Sequence, residues 1–151
     1  MSGMRHAVAC DTGVLFSGLF WGGKPGRVLE AVEREEALLL ISEYIRDELA
    51  AVIAEHGLGT GSLEKLLRLD NVRVIADGAY ASRENFDEAR RFVRDAADRP
   101  VYAFFLELLK RSQADFFVSS DADLLEIARP SPLFGKIVTP ARYCEEPVNR
   151  P

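Results

Sequence analysis

Four acidic side chains stand where a folding chain gathers groups together. Asp11 follows directly on the apolar run Ala7-Val8-Ala9-Cys10, and Asp121 stands three residues beyond the apolar Phe116-Phe117-Val118. Glu48 borders the apolar stripe of a helical segment, and Asp98 opens another. Clustered carboxylates repel, and a buried carboxylate without compensation is costly, so such a set fits Mg²⁺ or Mn²⁺, which take oxygen ligands. A metal of this kind activates water and offsets charge on a phosphate, and a pair also stabilises the leaving oxygen. The expected chemistry is hydrolysis of a phosphodiester. Asp11, Asp121 and Asp98 hold the metal, and Glu48 holds it or positions the attacking water. No Ser–His or Cys–His arrangement supports a covalent route.

Each acid also has a plain structural role on offer. Asp98 can cap the helix that follows it, Glu48 can be a solvated border residue, and Asp123 is favoured as the N-cap of a short helix. Asp11 resists this treatment best, because an acid directly after a buried strand must be hydrogen-bonded, open to a crevice or bound to a cation.

The elements that position these acids follow from periodicity and punctuation. Val8 to Cys10 reads as the first strand, and the apolar stretch from Val14 to Trp21 begins a helix. Gly22 to Gly26 is a turn by composition, and Arg27 to Arg34 is amphipathic. Ala37 to Ile41 is a short continuous apolar run, as expected for a strand covered on both faces. Ser42 is a good N-cap for a helix over Glu43 to Glu55, striped by Ile45, Leu49, Val52 and Ile53 and ended by Gly57. A helix capped by Ser62 is expected to Leu69, then a strand over Val72 to Ile75, a turn at Asp77-Gly78 and a helix from Arg83 to Ala96. Arg99 to Arg111 is the clearest helix, with Pro100 in its first turn. Phe116 to Val118, a helix over Asp123 to Ile127 and a last strand over Lys136 to Val138 complete the pattern. Strands separated by helices predict a three-layer α/β/α fold with a mostly parallel central sheet, and parallel strands put Asp11 and Asp121 at one sheet edge.

The totals narrow the class. At 151 residues one domain over 1–151 is expected, with no need of staples. No apolar run reaches the length of a membrane span, and the run after Met1 to His6 is too brief for a signal peptide, so the expected location is cytoplasmic. Two cysteines, Cys10 and Cys144, and two histidines, His6 and His56, are too few and too scattered for a disulfide framework or zinc site. The net charge of -5 argues against binding nucleic acid by overall basicity, so an RNA-binding surface must be local.

These residues resemble the PIN-domain family of metal-dependent ribonucleases, which includes the VapC-type toxins of toxin–antitoxin pairs. The resemblance covers nearly the whole chain. Asp11-Thr12-Gly13 through Trp21-Gly22-Gly23 is similar to the family's opening strand and helix; one toxin subgroup has an Asp-Thr-Asn start leading into a similar Ser-Gly and Trp-Gly-Gly sequence. Ser42 through Glu48 is similar to its Ser-(five residues)-Glu helix, Asp98-Arg99-Pro100-Val101 to the start of the helix with its third acid, and Val118 through Leu125 to its Val-Thr-Gly-Asp-x-Asp-Leu-Leu segment. The resemblance implies a PIN-like fold and a catalytic quartet of Asp11, Glu48, Asp98 and Asp121. Asp95 is the alternative third acid, because the helix before Asp121 is longer than the family's. It further implies Thr12, Ser119 and Asp123 as accessory groups, Mg²⁺ or Mn²⁺ as cofactor, single-stranded RNA as substrate, and an antitoxin protein as partner. Two departures stand out: Gly13 replaces an Asn beside the site, and Ser119-Ser120 replaces Thr-Gly.

Other readings of the same residues fare worse. Asp11-Thr12-Gly13 spells an aspartic-protease signature, but that chemistry needs two copies in a β-rich fold. A haloacid-dehalogenase-like phosphatase needs an Asp where Gly13 stands, and Asp121-Ala122-Asp123 alone is weak evidence for a sugar-nucleotide site. The remaining alternative is a PIN fold kept as a catalytically weakened nucleic-acid- or protein-binding, regulatory module. Phe16, Phe20 and Trp21 are either an exposed patch for a partner or a homodimer, or core, with core expected for at least two.

Overall fold

Five short apolar segments pair side by side, all in the same direction, into one parallel sheet. A computed structural model describes residues 6–149; the expectation drawn from Met1 to Arg5 about a signal peptide lies outside the described residues. The strands are β1 (His6–Cys10), β2 (Ala37–Ser42), β3 (Val72–Ile75), β4 (Phe116–Val118) and β5 (Ile137–Val138), in the order β3-β2-β1-β4-β5. Every pairing is parallel, so the sheet is fully rather than mostly parallel. The helices α1 (Thr12–Phe20), α2 (Gly23–Glu33), α3 (Glu43–Glu55), α4 (Gly61–Leu67), α5 (Arg83–Phe92), α6 (Arg99–Lys110), α7 (Ala122–Leu125) and α8 (Pro140–Glu145) flank it, giving the three-layer α/β/α architecture. None of the described helices is long and apolar enough to cross a membrane.

The strand order sets the site. From β1 the chain moves to β2 and β3 on one side, then returns to lay β4 on the other side of β1 and moves outward to β5. The direction of winding therefore reverses between β1 and β4. In open parallel sheets this reversal leaves a crevice beyond the carboxyl ends of the two strands, because their following connections diverge. Asp11 follows β1 and Asp121 lies three residues past β4.

The core explains why these runs became strands and α6 a buried helix. Val8, Ala9, Cys10, Leu39, Ile41 and Val118 are fully buried, and α6 buries Tyr102, Phe104, Phe105 and Leu106 without exposure. A strand covered on both faces needs no polar alternation, which is why Ala37 to Ile41 read as an unbroken apolar run.

Several boundaries differ from expectation. The first helix starts at Thr12, directly after Asp11, because the Asp11 side chain caps it. The Gly22–Gly26 turn is mostly helix, since α2 begins at Gly23 with only Gly22 outside it. The helix expected to Ala96 stops at Phe92, where Val93 becomes extended and buried; a 3-10 turn over Ala96–Asp98 then feeds α6. α4 starts at Gly61 after Thr60, so Ser62 is not its cap. After β5, Thr139 accepts from the Arg142 amide at 3.1 Å and Pro140 opens α8, a helix absent from the sequence reading.

Candidate metal centre

The crevice between the ends of β1 and β4 is an open cleft of about 310 Å³ lined by Asp11, Thr12, Gly13, Glu48, Asp98, Val101, Ser120 and Asp121. All four sequence-predicted acids face it, and none of its lining residues is basic. Two larger recesses, of about 380 and 540 Å³, lie elsewhere and collect none of the four. Chemistry, not size, singles out the smaller one.

Asp11 forms the floor. It is 6% exposed, and its Oδ1 accepts the Val14 amide at 2.9 Å as the N-cap of α1. Its Oδ2 accepts the Ser119 hydroxyl, and the Ser120 amide also donates to the carboxylate. The same Ser119 oxygen accepts the Asp121 amide at 2.9 Å, so one buried serine ties both strand-end acids together. Burial pushes the Asp11 carboxyl above its ordinary range, and the nearby Asp121 charge adds to this against the three donors. Cys10, the residue before it, is fully buried, and burial raises its thiol pKa strongly.

Asp98, Asp121 and Asp123 stand opposite, with one oxygen of each within 4.8 Å of the others. Asp121, not Asp123, caps α7, its Oδ1 accepting the Asp123 amide at 2.8 Å. Asp123 is exposed and has no capping role, contrary to expectation. Nor is Asp98 a side-chain cap: it occupies the residue before α6 but makes no cap bond. Its Oδ2 is instead shut off from solvent with no hydrogen-bond partner. Desolvation, then the Asp121 charge, pushes its carboxyl up to about 7. Asp95, the alternative third acid, caps the preceding 3-10 turn through the Ala97 amide at 3.0 Å and does not line the cleft.

Glu48 forms the third wall. α3 presents it toward α1, where the Thr12 hydroxyl donates to its Oε1. The Tyr44 hydroxyl, one turn earlier on α3, lies 3.3 Å from its Oε2 and also donates to the Ala97 carbonyl at 2.9 Å. Tyr44 thus links Glu48 to the segment carrying Asp98. Burial and the neighbouring Glu48 charge push its phenol up to about 12, so it remains a donor at neutral pH. The sequence reading missed Tyr44, although its spacing of four residues from Glu48 is the spacing that meets on a helix face.

The set divides unequally. Asp98, Asp121 and Asp123 converge most closely, while Asp11 is engaged by its own helix and by Ser119. Oxygen-only donors, a lining without a basic side chain among the described residues and an unpartnered Asp98 oxygen fit a hard divalent ion. Comparison with protein-family models and with the sequences of curated proteins gave no match.

Proposed function

We propose that this chain is a Mg²⁺- or Mn²⁺-dependent endoribonuclease that hydrolyses single-stranded RNA in the cytoplasm, as the toxin of a toxin–antitoxin pair. The observation that carries the metal chemistry is the cleft at the reversal point of the sheet, lined by four acids and no base, with Asp98 Oδ2 left without a partner. The PIN-like motifs supply the RNA substrate and the antitoxin.

Asp98 and Asp121 would hold the ion, with Asp123 at the rim and Asp11 on the floor. The ion supplies an acidified water and offsets charge on the phosphate. The chain supplies the rest. Ser119 and the Val14 and Ser120 amides keep Asp11 fixed. The hydroxyls of Thr12 and Tyr44 hold Glu48 at the wall, where its carboxylate orients water.

The test is cleavage of single-stranded RNA by purified protein. Activity should require Mg²⁺ or Mn²⁺, vanish in EDTA, and fall on the order of a hundredfold or more in Asp11→Asn and Asp121→Asn. Protein that binds no divalent ion and cuts no RNA refutes the reading. A second reading, a PIN-like binding or regulatory module with little catalysis, is favoured by the full engagement of Asp11 and by the missing side chain at position 13. A Cβ at Gly13 would stand 3.5 Å from Ser120 Oγ and 3.7 Å from Asp11 Oδ1, ordinary contact distances, so a side chain can start there without strain. Under this reading metal binds without cleavage, and Gly13→Asn restores it.

A further inference from the structure

Trp21 is the most exposed large apolar side chain among the described residues, at 69%. It closes α1, whose first turn lines the cleft through Thr12 and Gly13. Gly13, Ser17 and Trp21 are spaced four apart and share one side of the helix, spanning about 12 Å at 1.5 Å per residue. The indole is backed by a buried ring: Phe16 meets it edge-on at 6.2 Å, and Phe16 is itself packed by Phe20 at 5.3 Å and His56 at 4.8 Å. Beside it the space is open, since a Cβ at Gly22 would meet nothing within 4 Å. Exposed Lys24 follows three residues on.

We infer that Trp21 is a stacking platform for a base of single-stranded RNA whose backbone runs along α1 out of the cleft. The inference rests on the nuclease reading and names how that site holds its strand. A protein partner is the less fitting occupant: one indole buries roughly 150–250 Å², well short of the ~800 Å² each side of a stable protein interface needs. A single base needs only one supported ring face, and stacking tolerates any base. Trp21 therefore adds affinity rather than sequence choice.

The chain's single tryptophan reports on itself. A short, non-self-complementary oligoribonucleotide is titrated into Asp121→Asn protein with Mg²⁺, and indole fluorescence and the anisotropy of labelled RNA are followed. Saturable quenching is expected. Trp21→Ala in that background weakens binding on the order of ten- to a hundredfold, Trp21→Phe much less, with circular dichroism unchanged. RNA binding indifferent to Trp21→Ala overturns the inference, as does a Trp21→Ala effect confined to self-association in light scattering. If the wild-type chain cuts RNA but the indole is inert, only this inference fails. If the indole stacks but no divalent ion gives cleavage, the nuclease reading fails and the platform stands.

Discussion

Asp98 is the residue on which the electrostatics of the cleft turn. Its folded-state pKa of about 7 lies above the ~3.9 of an unfolded aspartate. Between those values the folded chain binds more protons than the unfolded one, so this contribution to stability is present below about pH 4 and lost as pH rises to 7. Asp11 acts in the same direction. Glu107 is shifted downward by Arg111 and Asn85, so its contribution is lost only at lower pH. The difference in melting temperature between wild type and Asp98→Asn without metal should therefore move against wild type from pH 5 to pH 8. Mg²⁺ should raise the wild-type melting temperature more at pH 8 than at pH 5, and that of Asp98→Asn little. A wild-type advantage that grows with pH in the absence of metal would refute this. Asp11 and Asp121 were legible because parallel strands deliver their ends to one edge. The closer grouping of Asp123 with Asp98 and Asp121 was not, because Asp121-Ala122-Asp123 offers two capping choices and only the helix start at Ala122 decides between them.

At the scale of elements, the cleft depends on helices that hold their acids in place. Asp98 stands immediately before α6, whose far end is tied to α5 by Asn85. The Asn85 amide donates to the Tyr80 carbonyl and to Glu107 Oε1, both at 2.9 Å, and its oxygen accepts from Lys110 at 2.7 Å. Asn85 is fully buried, so Asn85→Ala strands these partners and should cost about 1–3 kcal/mol in urea unfolding. Divalent-metal affinity should stay unchanged, because Asn85 lies outside the cleft; an equal loss of both would show that α6 itself shifts. Helix α3 was fully legible: Ser42 accepts the Ile45 amide at 3.1 Å, and Gly57, with φ at +67°, takes the left-handed conformation that ends the helix. α5 was read too long because burial pulls Val93 out of the helix, a tertiary effect no local pattern carries. The sequence reading ended at Val138 and so missed α8, although a capping Thr139 followed by Pro140 in the first turn is a helix start.

The whole molecule is organised around β1, which has a strand on each side and helices above and below. Cys10 is fully buried under the layer packed on β1, and a thiol so far from ionising is no nucleophile. This makes the cysteine a clock. In a Cys144→Ala protein, an alkylating reagent can mark Cys10 only while the packing over β1 stands open. Its rate, divided by that of the unfolded chain, is the fraction of time that packing stands open. For a cooperative domain that rate should be roughly 10³–10⁸-fold slower than in urea and should give the same free energy as urea unfolding. Faster marking would reveal that the strand carrying Asp11 loses its cover without global unfolding.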